Sequence, residues 1–74
     1  MAGVGAFEKC KRQIERGIKN QKKAGANYVA LDLPYFTVTD KASTDAYIQD
    51  LERRGYHVQI EHELSSKYGR ASWV

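Results

Sequence analysis

Lys67, Tyr68, Arg70 and Trp73 fall within seven residues near the C-terminus. Aromatic rings stack on bases, and arginine takes phosphate through a two-pronged hydrogen bond. Lysine adds a mobile point charge. Together these residue types point to a phosphate-bearing ligand, such as a small nucleotide, held beside a ring. On an extended strand Tyr68 and Arg70 share a side, and Trp73 faces the other way unless a bulge intervenes. The competing reading places Trp73 in the core and Tyr68 in a turn.

A second constellation lies in the first helix. Between Phe7 and Ala24 there are seven basic and two acidic residues, a balance of +5. The rest of the chain carries −2. Arg12 and Arg16 lead a broad basic face that could neutralise nucleic-acid phosphates and release their counterions. The plainer reading is a solvated helix face interrupted by Glu8 and Glu15, with Glu8 set four residues before Arg12 and Glu15 four before Lys19 as ion pairs.

Catalytic chemistry finds less support. General acid–base work needs a carboxylate or second histidine within hydrogen-bond reach. His57 and Glu61 are four apart on one strand face, too far for direct contact. His62 reads as an inward core histidine. Asp32, just before Pro34, reads as a ligand contact or a turn cap. Cys10 reads as a small buried hydrophobe. Two histidines with a lone cysteine suggest no metal set, and no glycine-rich phosphate loop or nucleophile elbow is present. The expectation is a non-enzymatic protein without cofactor or metal.

The elements that would position these residues follow from periodicity. Residues 1–6 read as a flexible tail before a single domain over 7–74. Phe7, Cys10, Ile14, Gly17, Ile18 and Gln21 gather on one arc of a helix ending near Gly25. Gly17 lets another backbone approach. Asn27 to Leu33 alternates as a strand, with Val29, Leu31 and Leu33 on one side. A second helix, capped by Thr39 or Asp40, carries Thr44, Tyr47, Ile48 and Leu51 inward and stops at Gly55. Tyr56 to Leu64 alternates again, with Tyr56, Val58, Ile60, His62 and Leu64 inward. Ser65 to Gly69 reads as a turn and Arg70 to Val74 as a final strand. The expected fold is a small α+β domain of order α-β-α-β-β. Its mixed sheet pairs the Asn27 and Tyr56 strands in parallel, makes the Tyr56 strand central, and carries two helices on one face. The other face bears Tyr28, Asp32, His57, Gln59 and Glu61.

A chain of 74 residues supports one small core. With no internal disulfide possible, good packing or self-association is left to supply the stability, and a small sheet with an open edge favours self-association. A homo-oligomer is the predicted state. No apolar run approaches a membrane span. The N-terminus is too short and weakly apolar for a signal peptide, so a cytoplasmic site is expected.

The basic first helix, the strand YVALDLP and the passage LERRGYHVQIE, in a chain this short, resemble the small accessory proteins of tailed bacteriophages. That resemblance implies a binder acting against bacterial defences in the host cytoplasm. Such proteins sequester nucleotide signals in oligomeric pockets or block a defence enzyme. It carries over no site residue. The leading expectation is therefore an oligomeric binder of a phosphate-bearing ligand. The alternatives are nucleic-acid binding through the first helix and inhibition of a host protein through the sheet face.

Overall fold

A computed structural model describes residues 5–73. The order is α1 (Ala6–Lys23), β1 (Tyr28–Pro34), α2 (Val38–Arg53), β2 (His57–Glu63) and β3 (Ser66–Ser72). This is the expected α+β order. Of the expected tail over 1–6, residues 1–4 lie outside the described residues, and Ala6 opens α1. Val74, assigned to the last strand, also lies outside them.

The sheet differs from expectation in one respect that matters. Its strand order is β1-β3-β2, and both pairings are antiparallel. β1 and β2 run the same way but never pair, because β3 lies between them. The sheet is therefore antiparallel rather than mixed, β3 is central, and β2 is an edge. Sequence periodicity marks a strand but not its neighbour, and here the C-terminal hairpin inserts into the gap that α2 spans. The hairpin turn is only Leu64-Ser65, so Ser66 to Gly69, read as a turn, is strand. The cap of α2 also moves. Thr37 accepts from Asp40 N–H, and Asp40 accepts from Thr37 N–H, a reciprocal capping box whose cap precedes the expected Thr39 or Asp40.

The two helices pack on one sheet face. Val29, Leu31 and Leu33 of β1 are buried there with Ala71 of β3. Ile14 and Ile18 of α1 and Tyr47 and Leu51 of α2 complete the core. A Cβ on Gly17 would sit 3.0 Å from Val29 Cγ2, so the glycine sets the close approach of α1 to β1. Thr44 is fully buried, and its hydroxyl donates to the Pro34 carbonyl at 2.7 Å. Both helices stop at a glycine of positive φ, Gly25 and Gly55.

A register shift between Ile60 and His62 breaks the β2 alternation. Glu61 is the extra residue of a bulge. Gly69 lies opposite, and a Cβ there would meet Gln59 O at 2.0 Å and Ile60 Cα at 2.8 Å. Beyond the bulge the faces exchange. His62 is exposed and pairs across from Tyr68, so it is not a core histidine. Leu64 is 82% exposed rather than inward.

Neither sheet edge is a bare template. Trp73 N–H donates to Asn27 O, so by antiparallel alternation Tyr28, Ala30 and Asp32 turn their backbone groups outward. Gln21 Nε2 donates to the Tyr28 carbonyl at 3.0 Å, and Pro34 has no N–H. The bulge interrupts the β2 edge. These are the usual means of blunting an edge.

Candidate phosphate-binding surface

The seven-residue cluster is divided between the two faces of the sheet. Register places Lys67 opposite Leu33, on the helix side. Its ammonium lies 2.8 Å from Asp45 Oδ1 and 3.4 Å from Glu63 Oε1. It also lies 4.3 Å from the centre of the Tyr35 ring. With its side chain only 14% exposed, Lys67 is a structural cation under α2. Asp45 answers it. The Lys67 hydrogen bond, with one from Tyr35, holds that carboxyl below its usual range.

Tyr68 and Arg70 do share a face, the outer one, and Trp73 faces away from them. Trp73 is half-buried on the helix side, its ring edge-on to Tyr56 at 5.6 Å. Lys22 lies over both rings, at 5.0 Å from Tyr56 and 5.5 Å from Trp73. On the outer face Arg70 Nη2 meets Glu61 Oε2 at 2.8 Å. Its charge is thus already answered by a carboxylate.

The cations of α1 are arranged otherwise. At about 100° per residue, Arg12, Lys23, Arg16 and Lys9 fall within an arc of roughly 60°, on the side away from the core. They form a ridge about 21 Å long from Lys9 to Lys23. All four are exposed, and none is ion-paired or hydrogen-bonded through its side chain among the described residues. Lys19 flanks the ridge, and with Glu15, Arg16, Ile18 and Lys22 lines a shallow groove beside α1.

Of the two acidic residues expected to interrupt this face, Glu8 remains exposed in the first turn and makes no ion pair with Arg12 among the described residues, while Glu15 is drawn off. Its carboxylate turns to α2, where Arg54 Nη2 meets Oε2 at 2.7 Å. The Tyr47 hydroxyl donates to the same oxygen. Arg54 chiefly, then Tyr47, holds the Glu15 carboxyl below its usual range. Lys19 is not its partner. Arg54 is also held by Asp50 at 3.2 Å. Three cations outside α1, Arg54, Lys67 and Arg70, are thus neutralised by carboxylates, while the α1 ridge is not.

The remaining candidates scatter. His57 and His62 are both exposed on β2, and no group of three or more metal-binding side chains exists among the described residues. Asp32 is exposed on the outer face opposite Tyr68, not capping a turn. Cys10 is half-buried, and burial first, then Asp32, pushes its thiol pKa up. A thiol held protonated is a poor nucleophile. Sequence reasoning places Lys9 and Lys23 on the basic face but singles out only Arg12 and Arg16, although helical phase aligns all four. It missed Tyr56 and Lys22 beside Trp73, a contact between distant segments with no local signal.

No protein family, curated protein or solved structure matches this chain. No helix among the described residues is long and apolar enough to cross a membrane.

Proposed function

We propose that the protein is a non-enzymatic binder of nucleic acid that grips backbone phosphates along α1. The observation that carries this reading is the division of cations. Three of the five cations outside α1, Arg54, Lys67 and Arg70, are paired with carboxylates, and Lys41 and Arg53 lie apart on α2, whereas the four ridge cations are aligned and unpaired among the described residues. A line of unpaired cations on one helix matches a string of phosphates better than a single nucleotide. Lys67, Tyr68 and Arg70 lie on two faces of the sheet, which weakens a small-nucleotide pocket built from all three. The ridge is complete on one chain, so binding through it does not depend on self-association.

The test separates position from net charge. Arg12→Gln/Arg16→Gln removes two ridge cations. Lys41→Gln/Arg53→Gln removes the same charge from the two ends of α2. Binding of a labelled duplex is measured by fluorescence anisotropy at fixed salt. The ridge variant is expected to weaken binding by about tenfold or more, and the control by less than about threefold. Equal losses would mean that only net charge matters, and the ridge reading would fail.

A further inference from the structure

The outer sheet face carries a depression of about 220 Å³ lined by Tyr28, Ala30, Glu61, Tyr68, Gly69 and Arg70. None of the core uses it. Register explains its shape. Ala30 stands opposite Arg70, while Tyr28 stands opposite Ser72 and Tyr68 opposite Asp32. The two tyrosines therefore sit at diagonal corners, and the small Ala30 side chain leaves the middle low. Both rings are about half exposed, 48% for Tyr28 and 46% for Tyr68. Large aromatics left open on a sheet face, with no core contact to satisfy, are suited to stacking.

The polar pair beside them gives the depression a chemical preference. The bulge places the Glu61 carboxylate 2.8 Å from the Arg70 guanidinium. Acceptor and donor thus lie side by side at one wall. We propose that this depression holds a single unpaired base, guanine before the others, stacked on Tyr68 and closed by Tyr28. Guanine offers two adjacent N–H donors, at N1 and N2, to the two oxygens of Glu61. It also offers O6 and N7 to Arg70, the commonest arginine–base contact. Adenine offers a single donor group, and thymine a single N–H. No other base fills both partners as fully.

The proposal rests on the nucleic-acid reading and extends it to strands with unpaired bases. A path joins the two surfaces. A second shallow depression, lined by Cys10 and Gln13 of α1 and by Ala30 and Asp32 of β1, adjoins the first through Ala30. A strand can cross the β1 edge there and keep its phosphates toward α1. That flank of α1 carries the neutral Gln13, and Asp32 of β1 sets a carboxylate beside the path.

The test uses short single-stranded DNA of thymidines carrying one central guanine, one central adenine or neither, with a duplex of the same length. Wild-type protein is expected to bind the guanine strand roughly tenfold tighter than the all-thymidine strand. Tyr68→Ala and Tyr28→Ala should each cost single-strand affinity about tenfold and leave duplex affinity unchanged. Tyr68→Phe, which keeps the ring, should restore it and shows that the loss is not misfolding. Glu61→Ala should bring guanine and adenine strands close to parity. Equal affinity for all three strands, or tyrosine variants that bind single strands normally, would overturn the base site while leaving the α1 reading standing. Failure of both single strands and duplex to bind would overturn both.

Discussion

Gly69 and Thr44 are the residues on which the local geometry depends most sharply. An alanine at position 69 would place a methyl 2.0 Å from a backbone oxygen of β2. Backbone cannot yield as a side chain can, so Gly69→Ala is expected to lower unfolding free energy by about 2–3 kcal/mol. Urea denaturation would measure it. An unchanged midpoint would show that β2 does not approach β3 this closely. Thr44→Val keeps the shape but removes the hydroxyl that satisfies the Pro34 carbonyl. Leaving that part-buried acceptor without its donor should cost about 1 kcal/mol by the same assay. Acid sensitivity is also decided by individual residues. Glu15 and Asp45 both have carboxyl pKa values lowered by basic partners. A lowered folded value means that their stabilisation is complete above the unfolded pKa, near about 4. It is lost as pH falls through the folded value. Each pair is partly exposed, so its contribution is no more than about 1 kcal/mol. Glu15→Gln should therefore narrow the difference in urea midpoint between pH 7 and pH 3, and an unchanged difference would argue against the Arg54 contact. Little of this was legible beforehand. The bulge that turns His62 outward and brings Glu61 to Arg70 arises from contact between Gly69 and Gln59, which strict alternation along one strand cannot register.

At the scale of elements, periodicity read the two helices well, because each buries a stripe of its own residues. Ile14 and Ile18, and Thr44, Tyr47 and Leu51, are buried as phase predicts. Glycine stops at Gly25 and Gly55 were equally local. Strand neighbours were not. Periodicity makes β3 a short last strand, yet it is the centre of the sheet, since Gly69, Arg70 and Ala71 are flanked on both sides. Its small residues are what allow that close pairing, whereas hydrophobicity had favoured the Tyr56 segment. Deleting β3 would therefore unfold the domain rather than trim it. Truncation after Ser65 is expected to abolish the cooperative thermal transition followed by circular dichroism. A retained transition would show β1 and β2 to be stable without their central partner.

Across the whole molecule, charge is segregated. α1 and its flanks hold +5 against −2 elsewhere, and Glu15, Asp45, Asp50, Glu61 and Glu63 are occupied by Arg54, Lys67 and Arg70. Such a pole attracts polyanions from a distance and is screened by salt. The composition disclosed the pole. The structure adds that Glu15 is paired with Arg54 at the end of α2, while Glu8 stays exposed in the first turn of α1. The most direct measurement of the central claim is the affinity of the wild-type protein for a labelled duplex across roughly 50 to 200 mM salt. With four ridge cations each meeting a phosphate, log K should fall linearly against log salt with a slope between about −3 and −4. Arg12→Gln/Arg16→Gln should flatten that slope by about 2. A slope near zero, or one that the double variant leaves unchanged, would contradict phosphate binding along α1.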